Sequence, residues 1–404
     1  MPASRPLLPI KLEHKHSLKV THPEPMSNSR DVNNVTHLTN NPLAPWPHTT
    51  HGLIQLRAYE HRETQTMSRA LDAATAAALK RGNPLAAYET ISRVLTSPPQ
   101  DGLLEIEILG RTHPLPDGQY LIQDGRAAGI SKLALVQAFL YARQQLRDHL
   151  DGVKPQADDE IFALTAVILL FDPEYLTAAN TRKRLIQAQL LSSPDLRPLL
   201  TREKHFLDSL LTSRLHRHTK SPVLWSHRRW LINLLSTTQQ QQPAVDVLAD
   251  LTSVIFVAGE RHPRNYYAWC HARLLVTQAG VPPSREMVDA VKSWCFQHHT
   301  DTSGWSFLGY LLTLSGTDQG VVEETFGEVL GLVEGLRLGN ESVWVFLRTL
   351  AGDGRVVREG LYERFEGVRR GVMEGAKTEG ERKVLRAAGE WSEAYRGRHD
   401  DSGV

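Results

Sequence analysis

The chain has 404 residues, of which 41% are hydrophobic and 23% charged, with a formal net charge of +1. That length holds two ordinary domains or one long repeat array, and the hydrophobic share is enough for a sizeable core. The near-neutral balance excludes a global attraction to nucleic acid or an anionic membrane, and two cysteines, Cys270 and Cys295, exclude a disulfide framework.

A cytoplasmic protein with no membrane insertion is the expectation. Two cysteines suit a reducing compartment. Residues 1–5 do not lead into the sustained apolar stretch of a secretory signal. The most apolar run, residues 161–171, is too short for a bilayer, which needs roughly 20 residues. The C-terminus carries no prenylation box.

In chain order, residues 1–50 are rich in Pro, Asn, His, Ser and Thr and read as a disordered tail. Residues 51–158 read as N-terminal helices with a small hairpin. An Ala-rich helix is expected at 67–80. Another follows Asn83-Pro84, a cap residue with proline at the first helical position. At 103–122 the period changes. Leu104, Ile106 and Ile108 alternate with Glu105 and Glu107, the pattern of a strand. Pro114, Pro116 and Asp117-Gly118 then turn the chain, and Tyr120 to Ile122 is the expected return of a β-hairpin.

From Ser131 onward the pattern is helical, with breakers at Asp172-Pro173, Ser221-Pro222, His262-Pro263, Pro282-Pro283, Ser303-Gly304 and Gly339-Asn340. Residues 159–352 read as a repeat array, and the highly charged segment 353–404 as a helical cap and tail. Five similar segments follow the breakers. They centre on Ala179 (with Asn180, Arg182 and Lys183), Trp225 (with Arg228 and Arg229), Trp269 (with Asn265 and Arg273), Trp305 (with Gly309) and Trp344 (with Arg348). The tryptophans are 44, 36 and 39 residues apart. Such a period holds two helices and two turns, the unit of an α-solenoid. A tryptophan in the first turns of a helix wedges a large apolar surface against its neighbour. A basic residue four positions later lies on the same face, its head free to pair with a carboxylate or a carbonyl. The fold class expected is therefore all-α, an alpha-alpha superhelix of helical hairpin repeats, with one small β-hairpin.

These segments resemble the repeat of the protein prenyltransferase alpha-subunit family, whose core is Asn-Tyr-x-x-Trp-x-x-Arg-Arg preceded by Pro. Residues 265–269, with Pro263, resemble its first half, and residues 225–229 its second. The resemblance spans roughly residues 159–350 and points to a divergent branch. It implies a right-handed crescent of helix pairs around a β subunit, the β subunit holding the catalytic zinc and the isoprenoid pocket. The family's lysine five positions before the second-repeat tryptophan approaches the isoprenoid diphosphate. Here that position is Lys220, a charge suited to a leaving group that becomes more negative. Family tyrosines three positions before the tryptophan line the same mouth. Tyr266 fits, while Pro222 stands in the second repeat. Arginine three positions after the tryptophan position persists as Arg182 and Arg228. Ala272, Leu308 and Leu347 replace it later.

The resemblance thus implies the alpha subunit of a heterodimeric protein geranylgeranyltransferase, inactive alone. It would need no cofactor in this chain and would meet isoprenoid diphosphate and a cysteine-containing protein only through the complex. A second reading stays open, a helical-repeat scaffold without enzymatic role. Nucleic acid is not an expected partner. The tryptophans and their arginines read first as core. His227 and His271 read as interhelical hydrogen-bonding residues. The clusters His216-Arg217-His218 and His298-His299 lack a cysteine or carboxylate at ligand spacing. No phosphate loop, nucleophile elbow or zinc motif is present.

Overall fold

A computed structural model describes residues 77, 79, 81–97, 99, 101–110, 112–190, 196–238 and 246–400. The chain divides into two units, residues 1–70 and 71–404, and every described residue lies in the second. The expected tail at 1–50, most of the expected helix at 67–80 and the last four residues lie outside the described residues.

Helix α1 (Pro84–Thr96) starts as its sequence dictates. Asn83 accepts a hydrogen bond from the Ala86 amide at 3.1 Å, and Pro84 opens the helix. Three strands follow, β1 (Glu105–Leu109), β2 (Leu121–Asp124) and β3 (Ala127–Ser131), in the order β1-β3-β2. The small β element expected near residues 103–122 is present, but its pairing differs from a single hairpin. Strand β1 pairs in parallel with β3, and β2 pairs with β3 in antiparallel fashion. The chain does turn at Gly118 (φ 82°), yet the true hairpin joins β2 to β3 through the two-residue loop Gly125-Arg126. Gly125 takes φ 55°, which such a short loop requires. Strand β3 (AAGIS) carries a weak strand signal but buries Ala128 and Ile130 between its neighbours.

Helix α2 (Lys132–Leu150) leaves β3 directly, capped by Ser131. Helix α3 (Asp158–Phe171) is buried almost all round, as a helix without a polar side must be. It packs on α1, α2 and α4 (Leu176–Leu190). Asp158, Asp159 and Glu160 occupy its first turn, where carboxylates suit the helix dipole.

Beyond α3 the helices alternate between two rows. The motif row holds α4, α7 (Pro222–Thr238), α10 (Tyr266–Ala279), α12 (Thr302–Thr313), α14 (Glu341–Ala351) and the terminal α16 (Glu379–Asp400), each touching the next. The partner row holds α3, α5 (Arg197–Leu211), the pair α8 (Val247–Asp250) and α9 (Phe256–Arg261), then α11 (Arg285–Gln297), α13 (Gln319–Leu336) and α15 (Glu359–Glu374). A π-helical stretch, Leu251–Ile255, joins α8 to α9. The short α6 (His216–Thr219) precedes α7. Each partner helix pairs with the motif helix that follows it, and contact of every motif helix with the next gives the helical-repeat superhelix.

One sequence expectation fails for a packing reason. Ser303-Gly304 is not a break but lies inside α12. A Cβ on Gly304 would come within 2.5 Å of the Trp294 ring, so the glycine serves close helix approach rather than chain reversal.

Candidate functional site

The repeat motif is a device for closing one turn and tying it to the next. Ser221, Asn265, Asp301 and Asn340 each stand four positions before a tryptophan and cap their helix, accepting from a backbone amide of its first turn. The indole of Trp225 donates back to the Thr219 carbonyl at 2.9 Å, Trp305 to His299 at 3.0 Å and Trp344 to Leu338 at 2.6 Å. All four tryptophans are buried. Trp269 departs from this pattern, and its indole nitrogen has no acceptor among the described residues. Its turn is held by Asn265, whose amide donates to the Thr219 carbonyl at 2.6 Å. Arg264 beside it adopts a left-handed backbone (φ 60°), and its amide donates to Asp301 at 2.5 Å.

The basic positions of the motif divide into two kinds. Arginine three positions after the tryptophan position turns inward. Arg182 grips Glu203 with two nitrogens, at 2.9 and 2.5 Å, and donates to the Phe162 carbonyl and the Thr165 hydroxyl. Arg228 is fully buried, 2.6 Å from Asp208 and 2.5 Å from Asp250. Lys204 bridges the same two carboxylates at 2.7 and 2.8 Å. Three cations therefore meet three carboxylates in the core of the first three repeats, the condition under which buried charge is tolerated.

Basic residues four positions after instead reach forward along the motif row. Lys183 lies over the Trp230 ring at 5.8 Å, Arg273 donates to the Ser306 carbonyl at 2.9 Å, and Arg348 lies over Trp391 at 5.6 Å. Arg229 and Asn180 are exposed on α7 and α4.

The electrostatics follow from burial and pairing. Burial alone would raise the Asp208 carboxyl, but Arg228 and Lys204 hold it down at about 2. Burial likewise opposes ionisation of Glu203, and Arg182 overcomes it. Burial pushes the His227 imidazole down to about 3, although Glu203 lies 3.3 Å away. His271 is held well below its ordinary range by burial and then by Arg228. Arg228 stands 2.5 Å from His271 Nε2, and arginine has only donors, so this nitrogen accepts. Sequence reasoning missed Glu203, Asp208 and Asp250. The available signal was Arg228 itself, since a buried guanidinium requires carboxylates opposite.

Lys220 and Tyr266, the two residues singled out for diphosphate contact, are both exposed. They sit on adjoining turns. Thr219, next to Lys220, gives its carbonyl to both Trp225 and Asn265, and Asn265 precedes Tyr266. His216 packs against His262 with ring centroids 4.0 Å apart and planes tilted by 35°, and Arg214 and Arg264 are exposed on the same pair of turns, as is Arg217, which pairs with Asp172 at 3.0 Å. This edge can offer several cations to an anion. Among the described residues no three His, Cys, Asp or Glu side chains converge to hold a metal ion. Nor is any helix among them long and apolar enough to cross a membrane.

Comparison with known proteins bears on the family resemblance. Residues 224–329 match the family model described as the ECM9 middle domain. The chain is 30% identical over 161 residues to Protein ECM9 of Saccharomyces cerevisiae, covering 39% of this chain and 41% of that protein. It is 29% identical over 172 residues to protein prenyltransferase alpha subunit repeat-containing protein 1-A of Xenopus laevis, covering 38% and 37%. It is 27% identical over 208 residues to geranylgeranyl transferase type-2 subunit alpha of Homo sapiens, covering 49% and 34%. The chain thus spans less than half the length of these relatives. The resemblance to prenyltransferase alpha-subunit proteins read from the repeats is borne out.

Proposed function

We propose that the chain is the alpha subunit of a heterodimeric protein prenyltransferase, of the geranylgeranyl-transferring kind, working in the cytoplasm. The observation that carries this reading is the placement of Lys220 and Tyr266. The two positions that the family resemblance singles out emerge, exposed, on neighbouring turns tied through the Thr219 carbonyl. In the reaction, the cysteine thiol gives up its proton to solvent, and its sulfur bonds to the first carbon of the isoprenoid as the bond from that carbon to the diphosphate oxygen breaks. The ammonium of Lys220 stabilises the negative charge that grows on the departing diphosphate, and the Tyr266 hydroxyl donates to the same group. The family resemblance, not a feature of this chain, assigns the zinc and the lipid pocket to the partner.

Purification of the tagged chain from its native cells, with identification of what co-purifies, tests the assembly. A β-type chain is expected, and the isolated chain is expected to be inactive. Turnover by the isolated chain would overturn the reading. In the complex, Lys220→Ala is expected to lower turnover about tenfold or more, and unchanged turnover removes Lys220 from the site. Pro222, which leaves the second repeat without its phenol, favours the other reading, a scaffold without catalysis. Absence of a β-type partner would select it.

A further inference from the structure

Sorting the helices of the five repeats by row reveals a charge division that the net charge of +1 conceals. The five motif helices α4, α7, α10, α12 and α14 contain a single carboxylate, Glu341, and seven Lys and Arg residues. The partner helices paired with them contain thirteen carboxylates and six Lys and Arg residues. Part of this is internal, since Arg182 and Arg228 turn inward to carboxylates of the partner row. The remainder points elsewhere. Lys183, Arg184 and Arg229 lie on the adjacent helices α4 and α7 and have no carboxylate partner among the described residues. Lys183 covers Trp230, and burial already presses its amine below its ordinary range.

A solvated helix face normally mixes both signs of charge, because a carboxylate in water costs nothing. Near-absence of carboxylates from five successive helices is therefore a property of what this row meets. An acidic surface brought against it would be repelled by aspartate or glutamate, so their exclusion acts as selection for that partner.

We propose that the motif row docks an acidic protein surface, with Lys183, Arg184 and Arg229 as its charged anchors and Trp230 as its apolar one. This deepens the partner reading above, on which it rests for the presence of a second protein. Protein fits better than nucleic acid. The three cations stand among uncharged polar residues such as Asn180, Ser226 and Asn233, which are exposed beside them. A phosphate backbone is tracked by denser cations, whereas arginine and tryptophan with sparse charge are the composition of a protein interface.

Fluorescence anisotropy of a labelled polyglutamate peptide titrated with the full chain tests this. Binding at low ionic strength is expected, weakening as salt rises. The triple variant Lys183→Glu, Arg184→Glu, Arg229→Glu is expected to bind about tenfold more weakly or worse. Charge reversal on the partner row and cap (Glu334→Lys, Glu363→Lys, Glu374→Lys, all exposed) should bind no less tightly than the unaltered chain. If circular dichroism shows the first triple unfolded, the double variant at the exposed Arg184 and Arg229 replaces it. No binding at low salt, or equal binding by the reversed variant, overturns the proposal. So does tighter binding of a single-stranded RNA of matching charge, which would assign the face to phosphate. No β-type chain or isoprenoid enters this assay, so its failure and that of the catalytic reading are told apart.

Discussion

The first two repeats and the last two solve the same packing problem with opposite chemistry. Three positions after the motif centre, the first two bury Arg182 and Arg228, answered by Glu203, Asp208 and Asp250 from the partner row. The last two place Leu308 and Leu347 there, both fully buried. The partner helices opposite have changed in step. Helix α13 buries Val322, Phe326, Val329 and Val333 and no carboxylate. The third repeat, with Ala272 beside His271, is the junction. A buried ion pair and a well-packed apolar pair are often of similar net worth, but they fail differently. The ionic half is sensitive to loss of one partner and to protons, and the apolar half to loss of volume.

Five measurements break or sharpen that contrast. Arg228→Ala leaves Asp208 and Asp250 buried with only Lys204 to answer them, and should cost about 3–5 kcal/mol in denaturant unfolding. A loss below about 1 kcal/mol would mean that water already reaches the network. Leu308→Ala, the apolar counterpart, should cost about 2–5 kcal/mol through lost transfer energy and a cavity. Arg228→Leu is the informative companion, because two carboxylates stay behind. If it is as mild as an apolar exchange, the carboxylates have found other partners.

Acid should separate the halves. His227 is depressed to about 3 and His218 to about 4, so both are neutral in the folded chain. The unfolded chain takes up these protons first. Stability is therefore full above about pH 6.5 and falls below it, by about 1.4 kcal/mol per pH unit for each imidazole, until the folded values are reached. Asp208, held at about 2, adds to the loss only below about pH 4. Between pH 7 and 5, hydrogen exchange should show α5 and α7 losing protection before α12 and α14. Uniform loss along the chain would refute the division. The smallest effect is Asn340→Ala, which removes one cap and should lower stability by about 1 kcal/mol without altering the pH response.

The array was legible because its signals are periodic and local. Trp225, Trp269, Trp305 and Trp344, each after a breaker, reveal paired helices without reference to anything distant. What stayed hidden depends on contacts across the sequence. Strand β3 has a composition with only a weak strand signal, so the alternation at β1 points to residues 120–122 as its partner instead of to β3. Gly304 reads as a break unless Trp294 is known to press on it. Asp208 and Asp250 sit 20 and 22 residues from Arg228 on amphipathic helices, where a carboxylate ordinarily faces water. For the candidate site, resemblance supplied Lys220 and Tyr266, and only the fold could bring their turns together. The charge division required knowing which helix belongs to which row.

The two edges of the array connect their helices under different rules. Turns leading into motif helices keep one length, four residues at 172–175, 262–265, 298–301 and 337–340, with α6 inserted in the remaining one. The last three of these four are closed by the caps and indoles. Among the fully described connections on the opposite edge, those at 280–284 and 314–318 hold five residues and that at 352–358 holds seven. The locked edge therefore fixes the phase of each repeat, as a ratchet fixes the pitch of a gear. A tag or a reporter domain spliced into the other edge is therefore expected to leave Lys220 in place against Tyr266.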